Sequence, residues 1–155
     1  MSKTTSIRPL VRADLPALEQ VIATTDLFPP AMLEGMAASY LNGAPDPVLW
    51  LTFSDPDPVA LAYAAPEPMT EGAWNLYLIA VHADHHSKGV GRALIAYVEE
   101  SLAVEGQRIL LVETSGNTEF ERTRAFYRQC GYEEEARIRD FYQAGEAKII
   151  FRKAL

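Results

Sequence analysis

Two glycines separated by one residue, Gly89 and Gly91, stand between a basic stretch and an apolar, helix-like segment in the run "HHSKGVGRAL". The backbone N–H groups of Ser87 to Arg92 can point outward together where that helix begins, and its dipole favours an anion. Glycine allows ligand oxygens to approach the backbone and permits positive φ. Lys88 and Arg92 add positive charge. The run is therefore a candidate binding site for a phosphate or a diphosphate.

Two familiar phosphate-binding patterns do not fit this run. The P-loop has the form G-x-x-x-x-G-K-[ST], whereas here Lys88 precedes the first glycine and no Ser or Thr follows. The dinucleotide fingerprint G-x-G-x-x-G fails because Leu94 occupies the third glycine position. Glycines before a helix also occur for purely structural reasons, so the glycines alone leave both interpretations open.

The helices that must position this loop follow from the apolar spacing. The first is predicted to start near Asp14, as its cap, with Pro16 in the first turn. Pro29 and Pro30 separate it from a second helix with an apolar face of Met32, Leu33, Met36, Tyr40 and Leu41. A third runs from Val90 to the stop at Gly106, and a short fourth, "EFERTRAFYRQC", ends at Gly131.

Strand patterns fill the remaining chain. The runs "VLWLTFSD" and "PVALAYAAPE" flank the turn "SDPDP" and predict an antiparallel hairpin, followed by the apolar strand "AWNLYLIAVH". The continuous apolar run "RILLVETS" suits a central strand covered on both faces. "EEEARIRDFY" and "EAKIIFRKAL" predict a last strand pair. This order indicates an α/β domain with a mixed sheet.

Composition limits the functions that the chain could have. The length of 155 residues and apolar content of 48% predict one domain spanning residues 1–155. No signal-like or membrane-spanning segment is evident, so we expect a soluble, cytoplasmic protein.

The single cysteine, Cys130, excludes an intrachain disulfide and a cysteine-based zinc site. The net charge of −7 disfavours nucleic acid as a partner; it indicates either solubility or attraction of a cationic substrate. His82, His85 and His86 lack an evident fourth ligand, so no metal is expected.

The wider run "LIAVHADHHSKGVGRAL" resembles the acetyl-coenzyme A motif of the GNAT superfamily of N-acetyltransferases, in which a strand leads into [Q/R]-x-x-G-x-[G/A] and a long helix. Residues 86–91 fill that frame, with His86 in place of Gln or Arg. The segment "TRAFYRQCGYEE" is similar to a later motif of the same family. The resemblance implies a mostly antiparallel sheet with helices on both faces and a splayed strand pair, and acetyl-coenzyme A as cosubstrate. It implies a binding set of Ile79, Ala80, Val81, His86, Ser87, Lys88, Gly89, Val90, Gly91, Arg92 and Ala93.

The resemblance also implies direct acetyl transfer to a primary amine of a small molecule or peptide. Tyr127 would protonate the departing sulfur, although a helix-terminal tyrosine also fits simple packing. Because an alkyl ammonium is mostly protonated at neutral pH, a base is required. Glu113 is the first candidate, although strand alternation could turn it away from the site. Tyr77, Asn75 and Glu71 lie in or before the strand where many members of the family position a base or a water, so the assignment of the base stays open.

The acceptor side is less defined. We expect the break between the first two helices and the "RDFYQAGE" segment to shape it, with a candidate set of Phe28, Tyr77, Asp140 and Tyr142. Asp140 could hold a cationic amine. A non-catalytic module that senses acyl-coenzyme A is the alternative function. A homodimer is possible, because dimers are common in the family.

Overall fold

The computed structural model describes residues 6–155, which form four α-helices and seven strands. The helices are α1 (Leu15–Ala23), α2 (Leu33–Leu41), α3 (Val90–Val104) and α4 (Glu121–Gln129). The strands are β1 (Ile7–Pro9), β2 (Leu49–Ser54), β3 (Pro58–Pro66), β4 (Ala73–Val81), β5 (Ile109–Ser115), β6 (Glu133–Gln143) and β7 (Glu146–Ala154). Each helix and strand predicted from the sequence is therefore present, with bounds shifted by a few residues.

The strands are hydrogen-bonded in the order β1-β2-β3-β4-β5-β7-β6. The β1–β2, β2–β3, β5–β7 and β6–β7 pairs are antiparallel, whereas β4 and β5 are parallel. The predicted fold class, a mixed and mostly antiparallel sheet with helices, is confirmed.

Backbone contacts divide the chain into two compact units. The first contains the described chain up to Ala65 together with Leu78–Val98. The second contains Pro66–Tyr77 and Glu99–Leu155. Strand β4 thus contributes its first half to one unit and its second half to the other.

The core of the first unit lies where α1 and α2 pack on the strands. Its fully buried side chains include Leu18, Val21, Ile22, Leu33 and Leu61. Leu18, Val21 and Ile22 recur at helical spacing on one face of α1, whereas Leu33 comes from α2 and Leu61 from β3.

The predicted apolar face of α2 is only partly right. Leu33 and Ala37 are fully buried, whereas Met32 and Met36 are 52% and 40% exposed. Leu33 and Ala37 are four residues apart and share one stripe, and the two methionines form the next stripe. A helix of nine residues that packs through one narrow stripe leaves the neighbouring stripe in solvent.

The sequence predicted Asp14 as the cap of α1, but its side chain makes no capping hydrogen bond to that helix. Its two carboxylate oxygens accept hydrogen bonds from the Arg8 guanidinium at 2.8 Å each, and one also accepts the Val11 N–H. The hydrogen bonds from Arg8 hold the pKa of Asp14 below its ordinary value. The carboxylate thus fixes the entry of the chain into α1.

The second unit has its own core, built from β5, β7 and α4. Leu110 and Val112 of β5 and Ile149 and Phe151 of β7 are buried, and Tyr127 of α4 packs against Phe151. Beside this core, Lys153 donates to Glu99 at 2.9 Å, and Glu99 also accepts the Tyr132 hydroxyl at 2.7 Å.

Strand β6, by contrast, is exposed along its whole length.

As for membranes, all helices within residues 6–155 are too short or too polar to span a bilayer.

Candidate active site

The glycine loop links the end of β4 to α3 within the first unit. After β4, a single 3-10 turn spans Ala83–His85, anchored where Ala83 N–H donates to the Thr24 hydroxyl at 3.1 Å. Ser87 and Gly89 then both adopt left-handed backbone, with φ of 63° and 79°, before α3 begins. Ser87 tolerates this region less readily than glycine does, which indicates a turn held in a specific conformation.

The N–H groups at the start of α3 are available to a ligand. The Ala93 N–H donates to the Gly89 carbonyl at 3.0 Å, and the N–H groups before it, from Val90 to Arg92, precede any intrahelical acceptor. A β-carbon built on Gly89 would meet nothing within 4 Å, so the space in front of this backbone is open. Lys88 and Arg92 are exposed beside it. The loop therefore offers backbone donors, open space and positive charge to an anion such as a phosphate.

His86 has a structural contact that the sequence did not reveal. Its Nε2 lies 2.9 Å from the Val81 carbonyl oxygen, so this nitrogen carries the proton and donates. The ring thereby ties the loop to the last residue of β4, and only Nδ1 is left for a ligand.

His82, nearby in the same segment, also makes a contact close to it in sequence. His82 Nδ1 accepts the Asp84 N–H at 3.1 Å. In the described part of the chain, no three His, Cys, Asp or Glu side chains converge as a metal ion would require.

Strand β4 continues past its pairing with β5. The parallel register runs from Ala73 opposite Ile109 to Leu76 opposite Val112, while β4 extends to Val81 and β5 to Ser115. The backbone of the predicted residues Ile79, Ala80 and Val81 thus lies beyond this register. Such an unpaired strand edge offers backbone N–H and C=O groups to an extended ligand.

Both carboxylate oxygens of Glu113 have a donor within the second unit. Lys148 Nζ lies 2.8 Å from Oε1, and Asn75 Nδ2 donates to Oε2 at 2.9 Å. Lys148 also lies 4.1 Å from the centre of the Phe141 ring, a cation–π distance. About 29% of the Glu113 side chain is exposed, so it is reachable from solvent.

Glu67 joins this cluster although the sequence analysis did not select it. Its Oε1 accepts Asn75 Nδ2 at 2.8 Å and the Tyr77 hydroxyl at 3.3 Å. Glu67 follows the end of β3, and Asn75 and Tyr77 alternate on one side of β4. No local motif signals this contact, because it depends on how the two strands pair.

The remaining acceptor candidates are spread over both units. Tyr142, 46% exposed, has a raised pKa, mainly through burial and also through the nearby carboxylates Glu113 and Glu146. Asp140 has a φ of 55°, and its Oδ1 accepts the Gly145 N–H at 2.8 Å in the β6–β7 connection. Phe28 is half-buried against the core of the first unit.

Tyr127 lies on the buried face of α4, 5% exposed. Its ring packs against the rings of Phe126, Tyr132 and Phe151 at centroid distances of 5.4, 6.0 and 5.8 Å. Burial raises the pKa of the hydroxyl above its ordinary value, so the group carries its proton at neutral pH. A proton donor needs that protonation state.

Comparison with known proteins identifies relatives of this arrangement. Residues 46–134, more than half of the chain, match the family described as "Acetyltransferase (GNAT) domain". The structure superposes with a TM-score of 0.88 on a protein assigned to the GNAT acetyltransferase family from Desulfovibrio desulfuricans, 32% identical over 96% of this chain and 97% of that one. The ribosomal-protein-S18-alanine N-acetyltransferase of Escherichia coli gives 0.75 at 26% identity, covering 96% and 92%.

A more distant structure shares the fold. An aminoglycoside 6′-N-acetyltransferase in complex with coenzyme A gives a TM-score of 0.73 at 18% identity, covering 96% of each chain. No curated protein matches the sequence significantly.

Proposed function

We propose that this chain, which belongs to the GNAT family of acetyltransferases, moves the acetyl group of acetyl-coenzyme A to a primary amine by direct attack. As a member of that family it is an acyltransferase, and acetyl-coenzyme A is its acyl donor. The observation that carries the proposal is the loop before α3, with open space at Gly89 and N–H groups that precede the first intrahelical acceptor.

In the proposed binding mode, this loop holds the diphosphate of the donor. Backbone N–H groups of Ser87–Arg92 donate to the phosphate oxygens, and Lys88 and Arg92 supply charge. The backbone of Ile79, Ala80 and Val81 binds the pantetheine along the edge of β4. His86 contributes by holding the loop against Val81.

Glu113 is the proposed proton acceptor for the attacking amine. An alkyl ammonium with a pKa near 10.4 is about 0.04% neutral at pH 7, so removal of its proton controls the concentration of nucleophile. Glu113 takes that proton directly or through water. It is a partly exposed carboxylate whose position is fixed by Lys148 and Asn75.

Tyr127 is the proposed proton donor. As the carbon–sulfur bond breaks, the new carbon–nitrogen bond completes the amide and the Tyr127 hydroxyl protonates the departing sulfur. Glu113 then releases the amine proton to solvent and Tyr127 regains a proton, so each turnover converts one amine and one thioester into one amide and one thiol.

The acceptor is proposed to be a cationic amine on a small molecule or a peptide. Asn75 joins Glu67 and Glu113 in one hydrogen-bonded cluster in which Lys148 pairs with Glu113, so two carboxylates share one ammonium group there. Tyr142 and Tyr77 would contact the acceptor, and Phe28 and Asp140 would help to shape its site. The Escherichia coli relative acts on a ribosomal-protein alanine, which favours a peptide N-terminus among the acceptors to be tried.

Further expectations concern the whole protein. A single domain over residues 1–155, a cytoplasmic location and a homodimer all stay predictions.

The test combines ligand titration with an acceptor screen. Calorimetry should give micromolar binding of acetyl-coenzyme A and of desulfo-coenzyme A, and no competition by ATP. Release of coenzyme A thiol is then measured against small-molecule amines, aminoglycosides and peptides with a free N-terminal alanine. Failure of both coenzyme A ligands to bind would overturn the proposed use of the loop.

A further inference from the structure

A polar residue is buried in the middle of an apolar strand. Asn75 of β4 is 1% exposed, and its neighbours Trp74 and Leu76 are also buried. Its Oδ1 is buried and has no hydrogen-bond partner in the described structure. An unpaired buried carbonyl costs about 1–3 kcal/mol, so this asparagine is a liability for folding. Residues of this kind require an explanation other than stability.

The amide nitrogen of Asn75 supplies that explanation. Nδ2 donates one hydrogen bond to Glu67 Oε1 at 2.8 Å and another to Glu113 Oε2 at 2.9 Å. Because both acceptors are carboxylates, the reversed amide would place Oδ1 against two negative groups. The orientation is therefore fixed, and the unpaired oxygen is the consequence of using both N–H groups on these two glutamates.

This contact completes a grip on Glu113. Lys148 pairs with Oε1 and Asn75 donates to Oε2, so each carboxylate oxygen of Glu113 has its own donor. Glu67 has neutral donors only, Asn75 and Tyr77, and no cationic side chain within residues 6–155 pairs with it. By accepting one of the two N–H groups of Asn75, Glu67 orients the amide so that the other N–H group points at Glu113.

We propose that Asn75, oriented by Glu67, is a positioning residue that fixes the carboxylate of Glu113 for proton transfer from the acceptor amine. This inference rests on the proposed role of Glu113 as proton acceptor. Displacement of a reacting group by about 1 Å can cost on the order of 10²-fold in rate, so loss of one of the two donors on Glu113 should be visible in kcat.

The principal variant is Asn75→Leu, which keeps the branched side-chain shape and removes both the donor and the unpaired oxygen. We expect kcat to fall by about tenfold or more. The affinity for acetyl-coenzyme A should stay within error of wild type, and the melting temperature is measured in parallel because the change removes two hydrogen bonds to carboxylates. Thr52→Val is the matched control: Thr52 is a fully buried polar residue of β2 whose hydroxyl donates to the Ala60 carbonyl, so its replacement should leave kcat unchanged.

A double-mutant cycle separates positioning from general structural damage. Asn75→Leu should lower kcat in the wild-type background and have no further effect in a Glu113→Gln background, because Asn75 acts only through Glu113. A full additional loss in the double variant, or wild-type kcat in Asn75→Leu alone, would overturn the inference while leaving the proposed function in place. Wild-type kcat in Glu113→Gln would instead overturn the base assignment, and the inference with it.

Two substitutions test the role of Glu67: one removes only its charge, and the other removes the carboxylate altogether. Glu67→Gln keeps an oxygen that accepts from Asn75 and should retain most of kcat, whereas Glu67→Ala should lose several-fold. Equal, wild-type rates in both variants would remove Glu67 from the proposal.

Discussion

The replacement Gly89→Ala tests the loop before α3 with an effect that can be worked out in advance. Gly89 has a φ of 79°, a conformation that costs an L-residue about 1–2 kcal/mol. Nothing lies within 4 Å of the new methyl group, so the protein itself adds no steric term. For a chain of this size, each 1 kcal/mol lowers the melting temperature by about 2–4 °C.

A matched control lies at the other end of the same helix. Gly106 follows α3 with a φ of 77°, and a β-carbon there also meets nothing within 4 Å. Gly106→Ala should therefore cost the same backbone strain and give a similar fall in melting temperature. The two variants differ in position, since Gly89 lies in the proposed diphosphate loop and Gly106 lies at the far end of α3.

Binding of acetyl-coenzyme A should separate the two variants. In Gly89→Ala the methyl group stands where the phosphate oxygens approach the backbone, and we expect Kd to rise at least about tenfold, which corresponds to roughly 1.4 kcal/mol. In Gly106→Ala, Kd should not change. Calorimetric titration of both proteins gives the answer, and equal Kd values would refute the assignment of this loop to the diphosphate.

Three further changes test other parts of the account. Tyr127→Phe removes the hydroxyl and keeps the aromatic packing, so kcat should fall by about 10²–10⁴ with little change in melting temperature, measured by thiol release; an unchanged kcat would show that Tyr127 only packs. Asp140→Asn retains an acceptor for the Gly145 N–H and removes charge, so acceptor KM should rise while the Kd of acetyl-coenzyme A stays constant; equal effects on both would count against Asp140 as a cation contact. Arg8→Met should cost about 1–3 kcal/mol in urea unfolding at pH 7. Because Arg8 lowers the pKa of Asp14 in the folded state, that stabilisation is present above the ordinary value of 3.8 and is lost as the pH falls below it, so the two proteins should converge in acid.

The loop and its flanking elements could be predicted because their signals are local. Gly89 and Gly91 stand at a change from strand to helix periodicity, which the sequence displays directly. The start of α3 at Val90 and the positive φ of Gly89 follow from that pattern. The buried face of α1 was equally predictable from its spacing.

The contacts that define Glu113 could not be predicted in the same way. Asn75, Glu67 and Lys148 lie 38, 46 and 35 residues from Glu113 in sequence, and only strand pairing brings them together. Strand alternation alone left the direction of Glu113 undecided. A local rule also failed at Asp14, because the longer-range partner Arg8 takes the carboxylate that a helix cap would use.

The central claim is that acetyl transfer to an amine is catalysed at this site, and mass balance tests it most directly. Coenzyme A release and acetylated amine are measured together by thiol titration and mass spectrometry, in wild type and in Glu113→Gln. The account predicts a rate that rises with amine and saturates, one acetylated amine per thiol released, and a strong loss in Glu113→Gln. Thiol release at the same rate with and without amine, or no release with any amine that binds, would contradict it.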